Sequence, residues 1–175
     1  NIESWLEEKL TASFNALEDQ SFLKGDGIGK PKGILSFQDG KEWSKIEQIK
    51  TGVNGGVTAN SLMKLIYSLP DAYRSKASMI LNRQTTFLLR TLKNETTGEY
   101  IWAPALNINA NDTVFGMAVF HCDYMPTPAS GELAIAVADF KQAYQIVDRQ
   151  NIKLMRDPFT EKPFVKFYAT KRVGG

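Results

Sequence analysis

Twelve residues, Phe22-Leu-Lys-Gly-Asp-Gly-Ile-Gly-Lys-Pro-Lys-Gly33, hold four glycines and three lysines, the composition of a loop that could wrap a phosphate in backbone amides and cations. A Walker-type loop needs Gly, four residues, then Gly-Lys-Ser/Thr, so that the lysine neutralises the phosphates and the hydroxyl holds magnesium. Here Pro31 follows Gly29-Lys30, and Lys24 stands where the first glycine belongs. A dinucleotide loop needs Gly-x-Gly-x-x-Gly between a strand and a helix. After Gly25 and Gly27 the third glycine position is Lys30, and the loop follows a helical pattern. A nucleotide-binding enzyme built on the 25–33 glycine loop thus fails by position and by context. Turn chemistry accounts for the same residues: glycines permit positive φ where the chain reverses, and proline stiffens the exit. The turn set is Gly25, Asp26, Gly27, Pro31 and Gly33.

His121-Cys122-Asp123 invites a nucleophile-and-base reading, since a catalytic thiolate needs an adjacent base and a group to orient it. Neighbours in one strand point to opposite faces, so a strand-end histidine beside a buried cysteine is the simpler expectation. These are the chain's one histidine and one cysteine. They allow no internal disulfide, no zinc site of Cys and His, and no histidine relay, and one cysteine fits a reducing cytoplasm. The carboxylates Asp139, Asp148, Asp157 and Glu161 fall at expected strand ends and turns, where they serve as solvated or capping groups. Neither a catalytic residue nor a metal or other cofactor follows from this inventory. In the last third, Arg149, Lys153, Arg156, Lys162, Lys166, Lys171 and Arg172 interleave with Phe164, Phe167 and Tyr168. Stacking platforms for single-stranded nucleic acid have this look. Alternation describes it more simply, with Lys166, Tyr168, Thr170 and Arg172 on one face and Val165, Phe167, Ala169 and Val173 on the other. Subunit contacts could use the same charges, and Asp148, Arg149, Arg156, Asp157, Glu161 and Arg172 form the candidate interface set.

The elements that hold these residues belong to an ordinary globular chain. Its 175 residues are 43% hydrophobic and 23% charged, a soluble composition with room for one core or two small lobes. A net charge of +2 gives no field that would argue for tight binding to nucleic acid or an anionic membrane. No apolar run approaches the roughly 20 residues that cross a bilayer, and no leader pattern opens the chain. The chain starts at Asn1 directly in a helical pattern and ends at Gly175 directly after a strand pattern, so it reads as a fragment.

Ile2, Leu6, Leu10, Phe14 and Leu17 predict an amphipathic helix, its stripe widened by Trp5 and Ala12 and its start capped by Ser4 with Glu7. Residues 34–56 carry little regular pattern, with Trp43, Ile46 and Ile49 as anchors and 51–56 as a connector. Thr58 or Asn60 caps a second helix through Leu62, Leu65, Ile66 and Leu69, stopped by Pro70. A buried strand is expected at 77–81, then a third helix from Arg83 to about Leu92, capped by Asn82 and carrying Phe87, Leu88 and Leu92, then a turn at 94–98. Strands are expected at 114–120, 133–137, 144–147, 152–155 and 164–170. Helices first and strands later favour an α+β fold.

Several segments, in order, resemble one family. They are Asp19 to Leu35, with its Gly-Asp-Gly, Pro and Gly-Ile-Leu turn; Met79-Ile-Leu-Asn-Arg-Gln-Thr85; Leu92-Lys-Asn94; and Gly98-Glu-Tyr-Ile-Trp-Ala-Pro104. Gly116-Met-Ala-Val119, Met125-Pro126, Ala138-Asp-Phe140, Tyr144-Gln-Ile-Val-Asp-Arg149, Arg156-Asp157 and Arg172-Val-Gly-Gly175 continue the set. The family is the major capsid proteins of tailed bacteriophages, with the Hong Kong ninety-seven type fold. The resemblance implies the end of a spine helix at 1–24 in a peripheral domain, an axial domain at 25–141, and peripheral-domain strands at 142–175. It implies that the family's N-terminal arm, extended loop and closing strand lie outside this chain. The implied function is structural and not enzymatic. Copies form the pentamers and hexamers of an icosahedral shell around double-stranded DNA, with scaffold, protease and portal proteins as further partners and no membrane. Such a subunit is part of the virion and assembles in the host cytoplasm. A bacterial encapsulin-like nanocompartment shell shares the fold and is the alternative. Some members weld subunits by a lysine-to-asparagine isopeptide bond. Residues 164–172 hold no asparagine or glutamate, which argues against that link through this strand.

Overall fold

The computed structural model describes residues 2–93, 98, 100 and 113–175, which divide into two compact units. One unit comprises residues 1–36 with 144–175, the other residues 37–143. The expected turn at 94–98 and the segment from Asn94 to Pro104 lie almost wholly outside the described residues.

In the first unit, α1 spans Ile2–Lys24, and a 3-10 turn at Ile34–Ser36 follows the glycine-rich segment. Helix α1 is under way at Ile2, so Ser4 and Glu7 lie inside it and do not form the expected capping box. Leu6, Leu10 and Phe14 are half-buried, whereas Trp5, Ala12 and Leu17 are exposed. Spacings of four keep a narrow row on one side of a helix, so the buried stripe is narrower than expected and excludes Trp5, Ala12 and Leu17. The unit is completed by a two-stranded antiparallel ribbon near the end of the chain, Val147–Asp157 with Lys166–Gly174.

The second unit opens with two-residue strands β1 (Gln38–Asp39) and β2 (Lys45–Ile46), paired in parallel. Trp43 is 98% exposed and Ile46 is exposed, so neither anchors a core as expected. Helix α2 (Ala59–Ser68) follows the Thr58 cap, where the Ser61 amide donates to Thr58 Oγ1 at 3.2 Å and the Thr58 amide donates to Ser61 Oγ at 3.1 Å. Serine at the third helical position thus completes a reciprocal cap usually closed by Glu or Gln. Pro70 ends this helix and precedes the single turn α3 (Asp71–Arg74).

Strand β3 (Ser78–Leu81) leads to α4 (Arg83–Thr91), capped by Asn82, whose Oδ1 accepts from the Gln84 amide at 2.9 Å. After β4 (Thr113–Val114) and β5 (Met117–His121) come β6 (Ile135–Ala138) and α5 (Phe140–Ala143). They form a sheet ordered β4-β5-β3-β6, with β3 and β5 parallel and the β4-β5 and β3-β6 pairs antiparallel. The core lies on one sheet face, where Met79, Leu81, Met117 and Val119 pack against Leu62 and Ile66 of α2 and Leu89 of α4. Helix α4 buries Thr85, Thr86 and Leu89, while the expected Phe87 and Leu88 face outward.

Strand β7 (Val147–Asp157) joins two segments expected to be separate strands at 144–147 and 152–155, and Tyr144 precedes it. It pairs with β8 (Lys166–Gly174), with irregular register between Asp148 and Lys153. Those irregularities absorb Arg149, Asn151 and other polar residues that read as a break.

Candidate functional site

The glycine-rich segment is a short folded-back turn. Asp26 and Lys32 form an antiparallel bridge, the Gly33 amide donates to the Gly25 carbonyl at 2.9 Å, and the Gly25 amide donates to Ser21 O at 2.8 Å. These amides are committed to the chain itself and are not available to a phosphate. Gly27 and Gly29 have φ of +83° and +68°, the expected role for glycine here. Gly25 and Gly33 serve differently. A Cβ on Gly25 would collide with the carbonyl oxygens of Ser21 and Pro31, and one on Gly33 with the Leu23 carbonyl. Pro31, Gly25 and Gly33 are buried at the base of the turn, while Asp26 and Gly27 are exposed. The Asp26 carboxylate accepts from the Ile28 amide at 3.0 Å and sits 3.5 Å from Lys30 Nζ, which together hold it below the usual carboxylate range.

Two contacts tie this turn and α1 to the ends of the ribbon. Tyr144 donates its hydroxyl to Lys32 O at 3.0 Å and meets the Phe22 ring edge-on, and its burial pushes the phenol upward. Lys171 Nζ lies 2.5 Å from Glu18 and 3.8 Å from Asp148, with Lys171 and Glu18 both largely enclosed. The hydrogen bond to Glu18 raises the Lys171 ammonium above its ordinary value. Sequence reasoning missed this pair, although signals were present: Glu18 stands four residues beyond Phe14 on the inner row of α1, and Lys171 shares the inner parity of β8 with Ala169 and Val173.

The alternation expected for the last strand holds from Phe167 to Val173, with Tyr168, Thr170 and Arg172 exposed and Phe167, Ala169 and Val173 half-buried, but not at its start, where Val165 precedes the strand and is exposed and Lys166 is half-buried. The candidate interface charges separate into two classes. Asp157 accepts from the Phe159 and Thr160 amides at 2.9 and 3.2 Å and from the Thr160 hydroxyl; the hydroxyl bond, then the Phe159 amide, holds its carboxyl low. Glu161 pairs with Lys166, and Asp148 lies beside Lys171. Arg149, Arg156 and Arg172 have no ion-pair partner among the described residues.

Among the described residues no catalytic constellation accompanies them. His121 ends β5 as expected and its Nε2 lies 2.9 Å from Thr86 Oγ1, a hydroxyl on α4. Cys122, just beyond the strand, is half-buried rather than buried, and its amide donates to Leu81 O at 3.0 Å. Asp139, expected to be solvated or capping, is buried immediately before α5, where its carbonyl accepts from the Gln142 and Ala143 amides at 3.0 and 2.9 Å, so it stands at the cap position and is not solvated. A cleft of about 450 Å³ between α4 and the 127–128 turn is lined by Arg83, Gln84, Phe87, Leu88, Thr127 and Pro128, with no carboxylate, imidazole or thiol. Among the described residues no three His, Cys, Asp or Glu side chains cluster as metal ligands, and no helix is long and apolar enough to cross a membrane.

With that geometry in place, comparison with known proteins decides the family. The Phage capsid family model matches residues 1–175, the whole chain. The chain belongs to the phage capsid family. It is 24% identical over 178 residues to the major capsid protein of Escherichia phage T5, covering 96% of this chain and 37% of that protein. Among solved structures, the capsid of an empty GTA particle computed with C5 symmetry superposes with a TM-score of 0.89 at 34% identity. That match covers 99% of this chain and 61% of the other. The capsid of the native GTA particle gives 0.89 and 33%. The chain therefore spans 37% of the length of the T5 protein and 61% of that of the two solved capsid chains, and the α+β capsid fold expected from the sequence stands.

Proposed function

We propose that this chain is part of a shell subunit, the major capsid protein of a tailed phage or phage-derived particle, and that the complete protein closes into an icosahedral shell of pentamers and hexamers around double-stranded DNA. The observation that carries this reading is agreement over the whole chain in both sequence family and fold, at a TM-score of 0.89 to a particle capsid. In this reading residues 1–24 and 142–175 belong to the peripheral domain and 25–141 to the axial domain; the two compact units support a two-domain subunit, although they group the Gly25–Gly33 turn with the first helix. The protein does no catalysis in this role. It works by complementary rims repeated around closed symmetry, where many modest contacts add up. Scaffold, protease and portal proteins assist, and assembly takes place in the host cytoplasm. Expression of the full-length gene with any scaffold and protease should yield closed particles by electron microscopy; a product that remains monomeric under those conditions overturns the reading.

A further inference from the structure

Three places in the chain set an aspartate or asparagine directly before a glycine: Asp26-Gly27, Asp39-Gly40 and Asn54-Gly55. In such a pair the glycine amide nitrogen can attack the preceding side-chain carbonyl and close a cyclic imide, because glycine has no Cβ to block the approach and leaves the backbone free to bend. The side chain must be able to turn back onto that nitrogen, and the nitrogen must not be held in a hydrogen bond. An aspartate must also be protonated, since a carboxylate repels the nucleophile.

The fold disables two of the three pairs. Asp39 ends β1, where its Oδ1 accepts from the Gln48 amide at 2.8 Å, and the Gly40 amide, the would-be nucleophile, donates to Ile46 O at 3.3 Å. Both reacting groups are occupied. Asp26 Oδ1 accepts from the Ile28 amide at 3.0 Å and its Oδ2 stands 3.5 Å from Lys30 Nζ, which aims the carboxylate past Gly27 and keeps it ionised. The third pair differs. Neither the Asn54 carboxamide nor the Gly55 amide has a hydrogen-bond partner among the described residues. Gly55 turns at φ +67°, and the space where a Cβ would stand meets only the Pro128 carbonyl oxygen, at 3.7 Å. No other asparagine in the chain precedes a glycine.

We propose that Asn54 is a site of spontaneous deamidation, with water as the co-reactant and an aspartyl or isoaspartyl residue as the product. Base removes the proton of the Gly55 amide, the nitrogen attacks Cγ of Asn54, and the Cγ–Nδ2 bond breaks to release ammonia. Water then opens the imide, at Cγ to give aspartate or at the main-chain carbonyl to give isoaspartate. The net change is an oxygen in place of an NH, with a new negative charge and no oxidant or reductant. In the isoaspartyl product the main chain runs through Cβ, so the 51–56 connector gains a methylene just ahead of the Thr58 cap of α2.

The test incubates the native full-length protein in mildly alkaline buffer and follows it by peptide mass spectrometry, with isoaspartate detected by enzymatic methylation. The peptide containing Asn54 should gain mass as ammonia appears, at a rate that rises in proportion to hydroxide, while the Asp26 and Asp39 peptides stay free of isoaspartate. Asn54→Gln should lose the gain, because the longer side chain closes its ring far more slowly. In urea and mildly acidic buffer, isoaspartate should appear at Asp26 and Asp39, showing that the fold and not the local sequence spares them. Conversion of Asn54 in urea but not in the native protein means that the connector is held, and overturns the proposal. So does isoaspartate forming in the native protein at Asp26 or Asp39 as fast as at Asn54, and so does a mass gain that persists in Asn54→Gln. The shell reading is untouched by any of these results.

Discussion

Gly25 and Gly33 are fixed by space, Gly27 and Gly29 by backbone angle, and the two constraints respond differently to an added methyl group. Gly33→Ala pushes a Cβ into the backbone of α1's last turn and should cost about 1–3 kcal/mol, as overpacking does. Gly29→Ala meets no neighbouring atom and bears only the left-handed angle, about 1 kcal/mol. Urea unfolding of the two variants should rank them in that order. Titration separates other residues of the same unit. Tyr144 and Lys171 both titrate higher in the folded state, so their contributions are complete below about pH 10 and are lost as pH rises through the folded values. Lys171→Met and Tyr144→Phe should each flatten the alkaline fall of stability above about pH 10. Asp26 and Asp157 titrate lower in the folded state, which puts their contributions above about pH 4, to be lost on acidification. Asn in place of Asp157 should shrink the acid limb in a pH-dependent melting series.

At the scale of elements, α4 shows where pattern reading succeeds and where it fails. Its cap at Asn82 and its existence follow from local chemistry, since a side-chain acceptor beside an orphan amide is a short-range fact. Its buried face does not. Phe87 and Leu88 are the most apolar residues in reach, yet the helix turns Thr85, Thr86 and Leu89 to the sheet, because the position of β3 two residues earlier fixes which side faces inward. Leu89→Ala should cost about 2–5 kcal/mol, whereas Phe87→Ser should leave the melting temperature nearly unchanged. Thr85 is fully buried, and its hydroxyl has no hydrogen-bond partner among the described residues. Thr85→Val keeps the shape and removes that cost, so it should stabilise by roughly 1 kcal/mol. The ribbon offers the converse lesson. Its alternation was legible from residue types, but the continuity of β7 was not, because irregular register lets polar residues such as Arg149 sit inside a strand. The Lys171–Glu18 pair was half legible: local period places each residue on an inner row, but which inner residues meet is decided by the fold, because the partners are far apart in sequence.

For the molecule as a whole, the two units bury apolar surface very differently. The 37–143 unit has a continuous core centred on Met79 and Leu81, both with no accessible surface, and β3 is paired on both sides. The 1–36 and 144–175 unit buries Leu23 but leaves Trp5, Met155, Phe159, Phe164 and Tyr168 in water. A two-stranded ribbon is marginal alone, and its edges carry unpaired backbone groups. Protection from hydrogen exchange should follow this division in the unassembled protein. Amides of β3 should be among the slowest, and those of β7 should exchange many times faster, since local opening needs only the loss of one thin ribbon. On the proposed shell reading, assembly should narrow the contrast at the ribbon alone, slowing β7 and β8 while leaving β3 almost unchanged. If β7 exchanges at the same rate in free subunit and closed shell, the exposed apolar residues of the ribbon are not covered by neighbours, and its stability must come from within the chain.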